Sequence, residues 1–268
     1  MVKAAVAGIG GRMGSRIAQV VVETEGIELV GGVERPGHPA VGRDLGLLAG
    51  MPPCGLVVDD AVEAVLARCD VLIDFTAPEA SLKHLEKAAG TGTAMVVGTT
   101  GFTPAHMEKI RDLTQKMPCV VAPNMSVGVN VLFKVLRDLT RLLGPDYDVE
   151  IVEAHHRFKK DAPSGTALKL AEAVAEARGR SLQEVGLYER HGIIGERPPE
   201  VIGLQTVRGG DVVGEHTVFF LGMGERIEVT HRAHSRDNFA RGAVAAAKWV
   251  VGKPAGLYSM QHVLGIAE

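Results

Sequence analysis

The 268-residue sequence predicts an α/β protein with a Rossmann-like, doubly wound parallel sheet, followed by a second α+β domain with a mixed or antiparallel sheet. Three observations predict this. The first 125 residues alternate short apolar runs with amphipathic stretches, the rhythm changes after Asn124, and 33 glycines call for bare backbone, about 12% of the chain against a usual ~7%.

Taken in order, the strand-like runs are VKAAVAG (2–8), IELVGGVE (27–34), GLVV (55–58), DVLIDF (70–75), AMVVG (94–98) and CVVAP (119–123). Between them lie AVEAVLARC behind Asp59 and Asp60, PEASLKHLEKAA opened by Pro78, and PAHMEKIRDLTQK opened by Pro104, all with helix start signals. Strand and helix in alternation require parallel strands joined by crossover helices, and ligands of such sheets bind beyond the carboxyl ends of the strands. Past Asn124 a helix (VNVLFKVLRDLTRLLG) leads to a strand (DVEIVEA), and a second helix begins near Ser164. In ERIEVTHRA, Ile227, Val229, His231 and Ala233 share one face, so strands here follow one another without crossover helices and two helices cover one sheet face. A last helix, NFARGAVAAAKWVVG, is expected to pack back on the first domain. The expected boundaries are 1–126 with 237–268 for a dinucleotide-binding domain and 127–236 for a substrate-binding domain.

Composition narrows the function. Lys plus Arg (29) nearly balances Asp plus Glu (32), so no overall field draws in nucleic acid or an anionic membrane, and aromatic residues at 4% make no base-stacking platform. Cys54, Cys69 and Cys119 form no CxxC pair, which argues against a disulfide framework or a structural zinc and fits a reducing compartment. No uninterrupted apolar run reaches membrane-spanning length, and no leader peptide is expected. The expected location is the cytoplasm.

The first βα turn reads Gly8-Ile9-Gly10-Gly11-Arg12-Met13-Gly14, a GxxGxxG pattern directly after an N-terminal strand. Its glycines allow a tight turn and close approach of a pyrophosphate to a helix start, and Glu34 ends the second strand where an acidic residue grips ribose hydroxyls. Arg35 follows at once; a carboxylate suits the 2′-hydroxyl of NADH and a guanidinium the 2′-phosphate of NADPH, so NADH and NADPH both remain open. The segments Gly98-Thr99-Thr100 and Ala122-Pro123-Asn124-Met125 follow strands of the same sheet and line the same edge. The densest constellation is EAHHRFKKDAPSGTA (153–167). Ser164 is a good N-cap, Gly165 and Thr166 begin a helix, and two histidines, an arginine and two lysines gather beside it, suiting a carboxylate ligand and supplying a proton donor. His216, His231 and His234 read as packing or surface residues, and no metal site is expected.

The run EAHHRFKKDAPSGTA resembles the signature of the 4-hydroxy-tetrahydrodipicolinate reductase (dihydrodipicolinate reductase) family of the diaminopimelate and lysine pathway. The glycine-rich start, the Glu34-Arg35 pair, GTTGF, APNMSVGVN and VRGGDVVGEHTV resemble it too, so the likeness spans nearly the whole chain. One departure is Gly10, where the family more often has Ala. The resemblance implies an NAD(P)H-dependent oxidoreductase acting on a cyclic imine that bears two carboxylates, with His155 as the acid/base histidine, Lys159 as proton donor, and His156, Gly165 and Thr166 as substrate contacts. It further implies nucleotide contacts from residues 8 to 13, Glu34, Arg35, Gly98 to Thr100 and Ala122 to Met125, and a homotetramer assembled through the second domain. Hydride addition leaves an electron-rich carbon to be protonated, by Lys159 or by His155, and the second domain is expected to swing to exclude water. Two other readings stay open: a nicotinamide reductase of a different small acid, and a nucleotide-sensing module without chemistry.

Overall fold

A computed structural model describes residues 1–267. They form two compact units, residues 1–127 with 237–267 and residues 128–236.

In chain order the first unit contains β1 (Val2–Ala7), α1 (Arg12–Glu23), β2 (Ile27–Val33), the single turns α2 (Leu45–Leu48) and α3 (Val62–Leu66), β3 (Val71–Asp74), α4 (Pro78–Thr91), β4 (Ala94–Val97), α5 (Pro104–Thr114) and β5 (Pro118–Val121). The second contains α6 (Val127–Leu143), β6 (Asp148–His155), α7 (Gly165–Ala177), α8 (Leu182–Val185), β7 (Gly186–Leu187), β8 (Ile202–Arg208), β9 (Glu215–Gly222) and β10 (Glu225–Arg232). The chain then returns to the first unit with α9 (Asp237–Val250), β11 (Gly256–Tyr258) and α10 (Met260–Val263).

The first sheet is wholly parallel, in the order β11-β5-β4-β3-β1-β2, and the strand order reverses between β1 and β3. Its inner strands are mostly apolar, as a sheet covered on both faces requires: every residue of β3 and β4 is buried, Asp74 at the end of β3 included. Two glycines set the helix distances. A Cβ on Gly14 would lie 2.0 Å from the Gly8 carbonyl oxygen, so α1 rests directly on the β1 turn. A Cβ on Gly242 would lie 1.7 Å from the Met125 carbonyl oxygen, which lets the alanine-rich face of α9 meet the end of β5.

The GLVV run is not a sheet strand. Gly55 sits at φ +74°, the N–H groups of Cys54 and Gly55 are taken by the Asp44 carboxylate, and only isolated bridges, Asp44 to Val57 and Val33 to Asp59, tie the segment to its neighbours. Neither Asp59 nor Asp60 caps α3, whose N-cap is Ala61; Asp59 instead pairs with Arg68.

The second sheet is mixed, β10-β9-β6-β8-β7, antiparallel across β10/β9/β6 and parallel across β6/β8/β7. Leu132 and Leu136 of α6 and Leu170, Ala171 and Val174 of α7 cover one face, closing on Val149, Ile151, Ile202, Leu204, Val218 and Phe220. The opposite face carries Val152, Thr217 and Phe219, all partly exposed.

Candidate active site

Within the first unit, the carboxyl ends of the parallel strands surround a cleft of about 780 Å³ lined by Gly8, Gly11, Glu34, Arg35, Thr76 and His84 among others. Gly8 turns the chain at φ +72°, its N–H donates to Val33 O (2.9 Å), and Gly11 donates back to Gly8 O (2.9 Å). Helix α1 starts at Arg12 with Gly11 as N-cap, and no side chain caps it. Glu34 Oε1 accepts from Gly10 N–H (2.9 Å) and Oε2 from Arg35 N–H (3.3 Å), which fixes the carboxylate at the mouth of the turn. Gly10 has a local reason: a Cβ there would fall 2.7 Å from His38 Cε1 and 3.2 Å from Glu34 Oε1. An open glycine turn, a helix start and a carboxylate beside a cleft are the features a dinucleotide needs.

The other proposed nucleotide contacts divide by burial. Arg12, Arg35, Thr100 and Pro123 are exposed, whereas the side chains of Ile9 and Met125 lie in the core, so those two can meet a ligand only through backbone. Gly98 lies under the Phe75 ring, where a Cβ would meet Cζ at 2.2 Å. Thr99 Oγ1 accepts from Thr76 N–H (3.0 Å) and bonds Ser81 Oγ (2.7 Å); Ala122 is buried, and Asn124 Oδ1 accepts from Ser126 N–H (2.9 Å). A network that sequence reasoning missed holds this edge. Asp74, fully buried at the end of β3, accepts from Thr76 N–H (3.0 Å), Thr76 Oγ1 (2.6 Å) and His84 Nδ1 (2.7 Å). A charged residue ending an otherwise apolar strand was its only sequence signal.

In the second unit, β6 carries Val149, Ile151, Glu153 and His155 on its helix-covered face, so the apolar alternation ends in two titratable groups. Glu153 is 1% exposed. His155 Nδ1 lies 2.5 Å from Oε2; Arg208 donates from Nη1 to Oε2 (2.8 Å) and from Nη2 to Oε1 (2.7 Å); Ser164 N–H donates to Oε1 (3.0 Å) and Thr206 Oγ1 to Oε1 (3.3 Å). Burial pushes the Glu153 pKa up, but the bonds from His155, Arg208 and Ser164 outweigh it and hold it at about 2. The opposite case is His216, packed edge-on to His155 at 5.2 Å and hydrogen-bonded through Nε2 to the Ser164 hydroxyl (3.1 Å). Burial, and then the neighbouring His155, push its pKa down to about 3, so it is neutral.

Ser164 caps α7 by accepting from Ala167 N–H (3.2 Å), and Gly165 and Thr166 take the first two helical positions. The preceding loop is pinned to the VRGGDVVG segment: His156 N–H donates to Val212 O (2.8 Å), Arg157 N–H to Gly210 O (3.2 Å), and Gly209 N–H to His155 O (3.0 Å). Gly214 leaves room for the His155 ring, since a Cβ there would stand 3.0 Å from Nε2. Lys159 is largely buried with Nζ 2.8 Å from Asp161 Oδ1, while Lys160 is exposed. The site therefore joins an imidazole, an ammonium and a helix start on one short stretch, backed by a buried carboxylate. Sequence reasoning left Glu153, Arg208 and His216 without roles, because what unites them is the sheet register.

Residues 2–125 match the family described as dihydrodipicolinate reductase, N-terminus, and residues 128–264 match its C-terminus. The chain is 61% identical over 266 residues to a 4-hydroxy-tetrahydrodipicolinate reductase from Syntrophobacter fumaroxidans, and 59% identical to one from Citrifermentans bemidjiense; each comparison covers 99% of this chain and all of the relative. Among solved structures, the fold is similar to a dipicolinate-bound dihydrodipicolinate reductase from Paenisporosarcina sp. TG-14, at a TM-score of 0.76 and 28% identity over 97% of both chains. An amine dehydrogenase from Mycobacterium smegmatis, 14% identical with a TM-score of 0.62 over 97% of this chain and 95% of that one, shares the fold alone.

Proposed function

The chain belongs to the dihydrodipicolinate reductase family, and on that basis we propose how its own residues divide the work of reducing 4-hydroxy-tetrahydrodipicolinate, whose hydroxyl leaves as water to give the conjugated cyclic imine that takes the hydride, to tetrahydrodipicolinate in diaminopimelate and lysine biosynthesis. The observation that carries this reading is the buried Glu153–His155 pair beside the capped start of α7, on the same loop as Lys159.

When bound, a reduced nicotinamide cofactor supplies the hydride. The turn at residues 8–13 and the start of α1 hold its pyrophosphate, with Glu34 on the ribose and residues 98–100 and 122–125 along the strand ends. In the second unit, Gly165 and Thr166 seat a substrate carboxylate by backbone N–H groups, and His156 faces the same ligand. The solved relative that holds dipicolinate, a planar ring with two carboxylates, supports a seat of this chemistry. Lys159 gives a proton to the carbon left electron-rich by hydride addition, and His155 completes the acid/base pair. The partly exposed sheet face at Val152, Thr217 and Phe219 is where copies would assemble into a homotetramer, and the compartment is the cytoplasm.

An assay of cofactor oxidation with the imine, run with NADH and with NADPH, tests the reading; no oxidation with either overturns it. Within that assay Arg35→Ala should weaken NADPH more than NADH by about 1.5 to 3 kcal/mol, the worth of a charge-assisted contact to the 2′-phosphate. Equal losses for both cofactors remove Arg35 from this role.

The carboxylate seat has its own test. A Cβ at Gly165 meets no atom within 4 Å, so a larger side chain there leaves the fold intact and stands over the helix start. Gly165→Leu is expected to raise KM for the imine about tenfold or more, the equivalent of ~1.4 kcal/mol, while Kd for NADH stays within twofold. A parallel loss of cofactor binding would place the seat elsewhere.

A further inference from the structure

Glu153 is a carboxylate almost without access to water, and the Arg208 guanidinium and the Ser164 N–H that bond its two oxygens hold it ionised at neutral pH. An ionised carboxylate has no proton to give. The hydrogen of its 2.5 Å contact with His155 therefore resides on Nδ1, and in the neutral ring Nε2 is left bare. Resting on the assignment of His155 to acid–base work, we propose that Glu153 is a positioning residue: it fixes His155 in the Nδ1–H tautomer with Nε2 as acceptor, and through Ser164 N–H it ties that imidazole to the cap of the carboxylate seat.

The donor arrangement makes a sharp expectation for Glu153→Gln, which keeps the shape and removes one acceptor oxygen. Three donors converge on Oε1, from Arg208 Nη2, Ser164 N and Thr206 Oγ1; only two meet Oε2, Arg208 Nη1 and His155 Nδ1. An amide NH2 at the Oε1 side would face two fixed donors, Arg208 Nη2 and Ser164 N–H, with only the Thr206 hydroxyl able to turn acceptor. At the Oε2 side it faces one fixed guanidinium N–H and one imidazole nitrogen that can give up its hydrogen. The glutamine NH2 thus takes the Oε2 side and donates to Nδ1, moving the proton of neutral His155 to Nε2. Ser164 keeps its acceptor, so the seat survives.

The test is proton–nitrogen correlation spectroscopy on the full-length protein with 15N-labelled histidine, the His155 signals being identified by their loss in His155→Gln. The wild type should show the Nδ1–H form and Glu153→Gln the Nε2–H form. In the same variant kcat should fall about 10²- to 10⁴-fold, as when a catalytic histidine is held in the wrong tautomer. KM for the imine and Kd for NADH should move less than about threefold, or ~0.7 kcal/mol. Because Glu153→Gln leaves the Arg208 charge without its counter-ion, the pair Glu153→Gln with Arg208→Met serves as a second variant; His155 still meets the glutamine NH2, and the tautomer should flip there too. A wild-type Nε2–H form overturns the proposal whatever the variants do. An unflipped tautomer in both variants, or a flipped one with undiminished kcat, also overturns it. If His155→Gln turns over normally, the acid–base reading of His155 fails instead, while the wild-type spectrum still reports whether Glu153 fixes the ring.

Discussion

Lys159→Ala should cut turnover by about 10²- to 10⁴-fold, equivalent to ~3 to 5 kcal/mol of transition-state free energy, the usual cost of losing a positioned general acid. Lys160→Ala should be nearly silent, because that side chain is exposed. The difference between adjacent lysines comes from the loop: Lys159 N–H donates to His156 O (3.1 Å), turning its side chain inward, where Asp161 Oδ1 holds Nζ at 2.8 Å. Lys159→Arg separates charge from proton transfer. A guanidinium keeps the positive charge but does not release a proton, so KM should stay near the wild-type value while kcat falls as far as in Lys159→Ala. The rival donor is tested alongside: if His155→Gln abolishes turnover and Lys159→Ala does not, histidine delivers the proton.

The parallel sheet was legible in the sequence because its strands carry unbroken apolar runs, a direct consequence of burial on both faces, and because Pro78 and Pro104 mark helix starts at their true positions. GLVV shows the limit of that signal. Its residues are as apolar as those of β4, yet Asp44 ties down the backbone before it, and no hydropathy pattern reports such a tether. The edge strand β11 escaped notice for the opposite reason: three residues carry no periodicity, and only register with Pro118–Val120 makes Gly256–Tyr258 a strand. In the site, the loop at 153–167 stood out by density of charge and by its Ser-Gly-Thr helix start. Its support did not stand out, because Arg208 and His216 reach Glu153 and Ser164 from 55 and 52 residues away through strand pairing. A sequence exposes groups that cluster locally; it hides the buried partners that orient them.

Those buried partners should make the second unit acid-sensitive in two overlapping steps. His216 is held neutral, with its folded pKa at about 3 against an ordinary 6.5, because of burial and the adjacent His155. Its folded value is depressed, so between these limits the unfolded chain binds a proton that the folded chain refuses. The contribution is complete above pH 6.5 and is lost as pH falls toward 3. Glu153, about 2 folded against an ordinary 4.5, adds a contribution that is complete above pH 4.5 and disappears as pH falls toward 2. Each proton costs ~1.4 kcal/mol per pH unit, so between pH 6.5 and 4.5 His216 alone accounts for roughly 2 to 3 kcal/mol, and below pH 4.5 the slope doubles. Losses of that size approach the whole stability of an ordinary domain, about 5 to 15 kcal/mol. Hydrogen exchange of β6 and β9 peptides in the intact protein, measured from pH 7 to pH 4 after correction for intrinsic rates, reads this directly. His216→Gln keeps a hydrogen-bonding partner for the Ser164 hydroxyl but cannot titrate, and it should flatten the dependence between pH 6.5 and 4.5 and leave only the single Glu153 slope below it. An unchanged slope in that variant would mean that the proton taken up on unfolding belongs to another group.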